Sequence, residues 1–137
     1  GIACIIPDTY LPDVHERLIL YKRIASANNE EELKDLKIEM IDRFGLLPDS
    51  TINLFESSSL KNFSNDIGVL KINIYDDKAE ITLNEKNNID ASKIISLIQT
   101  QPTQYQLKNQ NTIVINECME PDISRISRIS KLLSSIA

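Results

Sequence analysis

Glycine is scarce in this sequence, with Gly1, Gly45 and Gly68 the three in a chain of 137 residues. A glycine-rich phosphate cradle cannot be built from them, and neither GxxxxGK[ST] nor GxGxxG occurs. His15 is the sole histidine. A histidine-based metal site or a Ser-His-Asp triad would have to rest on it, and no HExxH pattern is present. Trp is absent and aromatics make up 5%, which argues against a base-stacking surface. The two cysteines, Cys4 and Cys118, lie far apart with no CxxC pair, so a reducing compartment is expected. Cys118 stands between Glu117 and Met119, with no basic sequence neighbour to lower its pKa. The apolar opening, Ile2 to Ile6, is too short for a signal peptide and far below the roughly 18 residues of a membrane span. The chain opens at Gly1 without Met, which reads as a cut from a longer polypeptide or as a cloning remnant.

What is present is ordinary for one globular domain. Hydrophobic residues are 42% and charged residues 26%, which excludes disorder across the whole chain. The net charge of −5 is uneven. Residues 1–66 hold 7 basic and 12 acidic groups, whereas residues 67–137 hold 8 of each. A duplex-binding module is normally basic, so the negative field of the first half points to another role.

The expected fold is α+β: a helical N-terminal half, then a small, mainly antiparallel sheet with two further helices. Pro7 and Pro12 mark an irregular lead-in over residues 1–12. The helical part covers residues 13–67. Asp13 is the expected N-cap of a first helix, with Glu16 in the reciprocal capping-box position. Val14, Leu18, Tyr21 and Ala25 form its expected apolar stripe, widened by Leu20 and Ile24. The helix should stop near Asn28-Asn29. A second helix is expected from Glu30 to Phe44, with Leu33, Leu36, Met40 and Phe44 inward and Gly45 as a left-handed stop. A third begins at Asp49 or Ser50 and ends near Gly68.

The mixed part covers residues 68–137. The hydrophobic period there falls to two: Leu70, Ile72 and Ile74, then Ala79, Ile81 and Leu83, with Asp76-Asp77 as the turn. Asn88 or Asp90 caps a helix holding Ala91, Ile94, Ile95 and Ile98, which Pro102 ends. Two short strands follow, at Tyr105 and Leu107 and at Ile113 and Ile115. A last helix starts at Pro121 or Asp122, with Ile123, Ile126, Ile129, Leu133 and Ile136 inward.

The second helix carries the informative pattern. At about 100° per residue, Glu31, Glu32, Asp35, Glu39, Asp42 and Arg43 share one arc of roughly 120°, with Lys34 and Lys37 outside it. Like charges three and four residues apart repel, and Asp42 stands at the wrong end of the helix dipole. Such a ridge either faces water or presents itself to a cationic surface. Glu39 and Arg43 also have the spacing of an intrahelical ion pair. A smaller cationic cluster, Arg17, Lys22 and Arg23, either pairs with acids of neighbouring helices or contacts nucleic acid. Carboxylates are plentiful enough for paired-acid catalysis, but Asp76-Asp77 is better explained by turn chemistry. This domain is not expected to be an enzyme.

The run Ile6-Pro7-Asp8, Leu11-Pro12-Asp13, Arg17-Leu18, Tyr21-Lys22-Arg23-Ile24-Ala25, Glu32-Leu33, Ile41-Asp42-Arg43-Phe44-Gly45 and Leu47-Pro48 resembles the C-terminal domain of the bacterial transcription-repair coupling factor. The resemblance is strong over about residues 5–66. It is looser beyond, where element order and Gln101-Pro102 carry it. It implies a single domain, residues 1–137, from the C-terminal end of a larger cytoplasmic DNA translocase. ATP and magnesium are used elsewhere in that parent, and this domain needs no cofactor or metal. In the family the domain packs on the UvrB-like domain of the same chain and masks the UvrA-binding surface until RNA polymerase is engaged. The resemblance supports Asp42 and Arg43 directly as interdomain contacts. Glu39 follows as one turn before Arg43, and Asp35 and Glu32 follow from helical geometry. The competing expectation is a DNA-contacting module that guides the translocase on double-stranded DNA through Arg17, Lys22 and Arg23. A monomer is expected, with no membrane partner.

Overall fold

A computed structural model of the chain describes residues 3–116 and 123–137. The order is α1 (Val14–Ser26), α2 (Glu30–Phe44), α3 (Asp49–Ile67), β1 (Val69–Ile74), β2 (Ala79–Leu83), α4 (Ala91–Thr100), β3 (Tyr105–Asn109), β4 (Thr112–Ile115) and α5 (Ile123–Ile136). This is the expected α+β order. The expected start of the last helix at Pro121 or Asp122, and Cys118, fall outside the described residues. The chain divides into two compact units, Gly1–Asn62 and Phe63–Ala137, with the boundary inside α3.

The first unit is built by caps and a shared apolar core. Asp13 accepts from the Glu16 N–H at 3.0 Å and starts α1. Asn29 does the same for α2 through the Glu32 N–H at 2.9 Å. The core joins Leu20 and Ile24 of α1, Leu33, Leu36 and Met40 of α2, Phe55 of α3, and Ile6 and Leu11 of the lead-in. The lead-in is tied down by hydrogen bonds. The Ile6 N–H donates to the Tyr21 hydroxyl at 2.6 Å, and the Thr51 hydroxyl donates to the Ile5 carbonyl at 3.0 Å. The Tyr10 hydroxyl donates to the Met40 and Gly45 carbonyls, at 3.2 and 2.8 Å. Its ring meets Phe44 edge-on with centroids 6.0 Å apart.

Three expectations need correction here. Val14 and Leu18 are 60% and 54% exposed rather than inward, and Ala25 is exposed as well. The helix rolls so that Leu20, Ile24 and, just past its end, Ala27 face the core, because that face meets both the lead-in and α2. Val14 and Leu18 instead line an open groove with Ile5, Ile6, Pro7 and Tyr21. Gly45 has a positive φ of 97° with an extended ψ of −171°, so it is not left-handed helical. Its N–H still closes α2 on the Ile41 carbonyl at 2.9 Å. The Glu16 carboxylate does not complete a capping box, because it reaches Arg43 instead.

The second unit is a four-stranded antiparallel sheet of order β1-β2-β4-β3 with α4 and α5. Ala79, Ile81, Ile113 and Ile115 line up across the central strands and are buried. Asp90 caps α4, accepting from the Ser92 N–H at 2.9 Å. Ile94, Leu97 and Ile98 of α4 converge with Tyr105, Ile113, Leu132 and Ile136. The Asp90 N–H donates to the Ile136 carbonyl at 2.7 Å, which joins the start of α4 to the end of α5.

The expected alternation of this unit also shifts. A bulge between Val69 and Lys71 turns Leu70 outward, and Val69 becomes the buried residue of β1. Ile74 and Leu107, on the two edge strands, are exposed, as is Ile95 of α4. Glu80, expected on the polar side, is 6% exposed and paired with Lys108 at 3.3 Å and Lys78 at 3.7 Å. Gly68 is obligatory: its φ is +91°, and a Cβ there would lie 2.5 Å from Asn87 Cα.

Candidate interaction face on α2

The ridge residues of α2 fall into two groups. Glu39 and Arg43 are engaged with α1. Arg23 donates to Glu39 Oε2 at 2.5 Å and to Oε1 at 2.9 Å, a two-pronged guanidinium–carboxylate pair. Arg43 donates from Nη2 to Glu16 Oε1 at 2.6 Å, and its Nη1 lies 3.5 Å from Glu39 Oε2. Its guanidinium also stands 4.7 Å from the Phe44 ring centroid. The result is an alternating chain, Arg23–Glu39–Arg43–Glu16, whose charges cancel. Arg23 holds the Glu39 carboxyl below the usual carboxylate range, and Glu39 in turn pushes the Arg23 guanidinium up.

Glu32 is spent mainly at the helix start, where its Oε2 accepts the Asn28 N–H at 2.7 Å. Asp35 and Asp42 are different. Both are exposed, and neither has a hydrogen bond or ion pair among the described residues. Lys37 leans over the Phe55 ring at 5.4 Å, away from the ridge. Glu32, Asp35 and Glu39 line an open groove of about 350 Å³ with Arg23, Ser26, Ala27 and Leu36.

The structure therefore brings all five ridge residues onto one helix but gives them different work. Periodicity could not show that Arg23 would reach across to Glu39, because that contact depends on how α1 lies against α2. Periodicity does place Ile38 and Ile41 of the same helix off the inward stripe of Leu33, Leu36, Met40 and Phe44, and they are 55% and 42% exposed. The cationic cluster disperses. Arg17 donates to the Leu11 and Pro12 carbonyls at 2.8 and 3.2 Å, and Arg23 is taken by Glu39. His15 is exposed on α1. Among the described residues no group of three or more His, Cys, Asp or Glu is placed to hold a metal ion. No described helix is long and apolar enough to cross a membrane.

Fold and face together define an α+β module with one acidic helix surface. The TRCF domain model matches residues 1–94, and the chain belongs to that family. It is 34% identical over 132 residues to the transcription-repair-coupling factor of Escherichia coli (strain K12), covering 96% of this chain and 12% of that protein. The corresponding figures for the factor of Haemophilus influenzae Rd are 35% over 136 residues, 99% and 12%. The chain thus spans about an eighth of the length of these relatives. A crystal structure of the C-terminal domain of transcription-repair coupling factor shares the fold. It superposes with a TM-score of 0.83 at 22% identity, covering 98% of this chain and 87% of that one.

Proposed function

We propose that this domain is a non-catalytic regulatory module of a transcription-coupled repair translocase. It docks through the acidic face of α2 on the UvrB-like domain of the same chain. That contact masks the UvrA-binding surface until RNA polymerase is engaged. The supporting observation is the pair of exposed, unpartnered carboxylates, Asp35 and Asp42, beside a charge-neutral network that fixes Glu39 and Arg43. The names of the relatives, transcription-repair-coupling factors, support the same setting. ATP binding, magnesium and the translocase activity belong to the parts of the parent outside this chain, and the domain itself uses no cofactor.

Mechanistically this is a population shift. The docked state is favoured by a contact of a few kcal/mol, and polymerase engagement favours the undocked one. A largely polar contact suits a surface that must let go. The DNA-guiding alternative has less to rest on, since Arg17 and Arg23 of its three cations are committed within the fold.

The test uses the full-length parent carrying Asp35→Lys and Asp42→Lys, a reversal that leaves the Arg23–Glu39 pair intact. Capture of the parent by immobilised UvrA should rise. Unchanged capture, with the domain still folded, would remove this reading.

A further inference from the structure

Ile38 and Ile41 stand side by side on the outward face of α2, 55% and 42% exposed. Residues three and four apart are neighbours on a helix, so Asp35 precedes Ile38 by one turn and Asp42 follows it by one turn. Glu31 lies on the same flank and Lys34 on the other. Neither isoleucine belongs to the buried core cluster. About half of each side chain is left to solvent, and β-branched residues are poorer helix formers than Ala, Glu or Lys. Single exposed apolar residues need no explanation. A pair bordered on one side by two carboxylates without partners, Asp35 and Asp42, and on the other by Lys34 and Lys37 has the anatomy of a small interface, with an apolar centre and a charged rim.

We propose that Ile38 and Ile41 are the apolar anchor of the α2 docking face, and that their occupant is a basic protein surface with an apolar side chain at its centre. Asp35 and Asp42 supply the charge complementarity that selects this occupant. Arg23 and Glu16 of α1 neutralise Glu39 and Arg43 on the neighbouring flank, which leaves Asp35 and Asp42 as the uncompensated charge next to the anchor. This inference rests on the docking reading above and adds where the contact's strength resides. Buried apolar anchors carry most of the energy in such contacts, while rim charges set orientation and rate.

The experiment compares three variants of the full-length parent for capture by immobilised UvrA. They are Ile38→Ala with Ile41→Ala, Asp35→Lys with Asp42→Lys, and the control Val14→Ala with Leu18→Ala. Alanine favours the helix and the replaced side chains are exposed, so thermal melts should match the wild type. The Ile38/Ile41 pair should raise capture roughly tenfold, as loss of an interface anchor would, and the control should leave it unchanged. A response to the aspartate reversal with none to the isoleucine pair overturns the anchor alone. No response to either overturns the docking reading with it. An equal response to the Val14/Leu18 control overturns the specificity of the patch. Sedimentation of the 137-residue chain covers the remaining occupant. A dimer that the alanine pair dissolves would overturn the proposal by assigning the patch to self-association.

Discussion

Arg23 on α1 grips Glu39 on α2 with both of its terminal nitrogens, at 2.5 and 2.9 Å. That one pair converts a ridge of like charges into a braced one. Glu39 would otherwise repel Asp35 and Asp42 along the helix. With Arg23 and Arg43 beside it, its charge is matched, and the uncompensated charge moves outward to the two aspartates.

The pair should therefore show measurable coupling despite its exposure. Arg23→Gln and Glu39→Gln should each cost about 0.2–1 kcal/mol, the range of exposed ion pairs. The double variant should cost less than the sum of the singles. Urea unfolding of the four members of the cycle checks this.

The pH dependence has a definite sign. The Glu39 carboxyl is held low in the folded state, chiefly by the hydrogen bond from Arg23. Its contribution is full above the ordinary glutamate value of about 4.3, and is lost as pH falls through the lower folded value. Asp90, held low by Ser92, acts in the same direction. Stability should decline on acidification below roughly pH 5. Glu39→Gln and Asp90→Asn should each flatten that decline in melts across the acid range.

The two internal glycines should respond unequally. Gly45→Ala meets open space and bears only the cost of its positive φ with an extended ψ, about 1–3 kcal/mol. Gly68→Ala adds a steric overlap with the Asn87 backbone, so it should cost distinctly more and loosen the 84–88 turn. Denaturation midpoints should rank the variants in that order, and the reverse order would contradict the local geometry.

The legible parts of this fold were those written in local chemistry. Asp13, Asn29 and Asp90 sit where turn-forming residues meet apolar periods, and each caps its helix. Gly45 marks the end of α2 because no side chain is tolerated easily there. Faces were less legible than elements. Val14, Leu18 and Ala25 repeat with helical spacing as regularly as the buried Leu20 and Ile24, so one helix offers two apolar stripes. Only the position of the lead-in and α2 decides between them. Leu70 looked inward because a bulge leaves no mark in the alternation. At the candidate site, the acidic arc of α2 and the position of Ile38 and Ile41 off the inward stripe were readable, while the Arg23–Glu39 contact depends on tertiary packing.

The proposed docking of α2 on the UvrB-like domain of the same parent is most directly tested by titration calorimetry. This chain is titrated against the UvrB-like domain at low and high salt, and the titration is repeated with the two joined by a flexible linker, since tethering supports a weak contact. Binding should weaken with salt and be lost in Asp35→Lys with Asp42→Lys. Binding indifferent to both, or no binding even when the domains are linked, would contradict the docking.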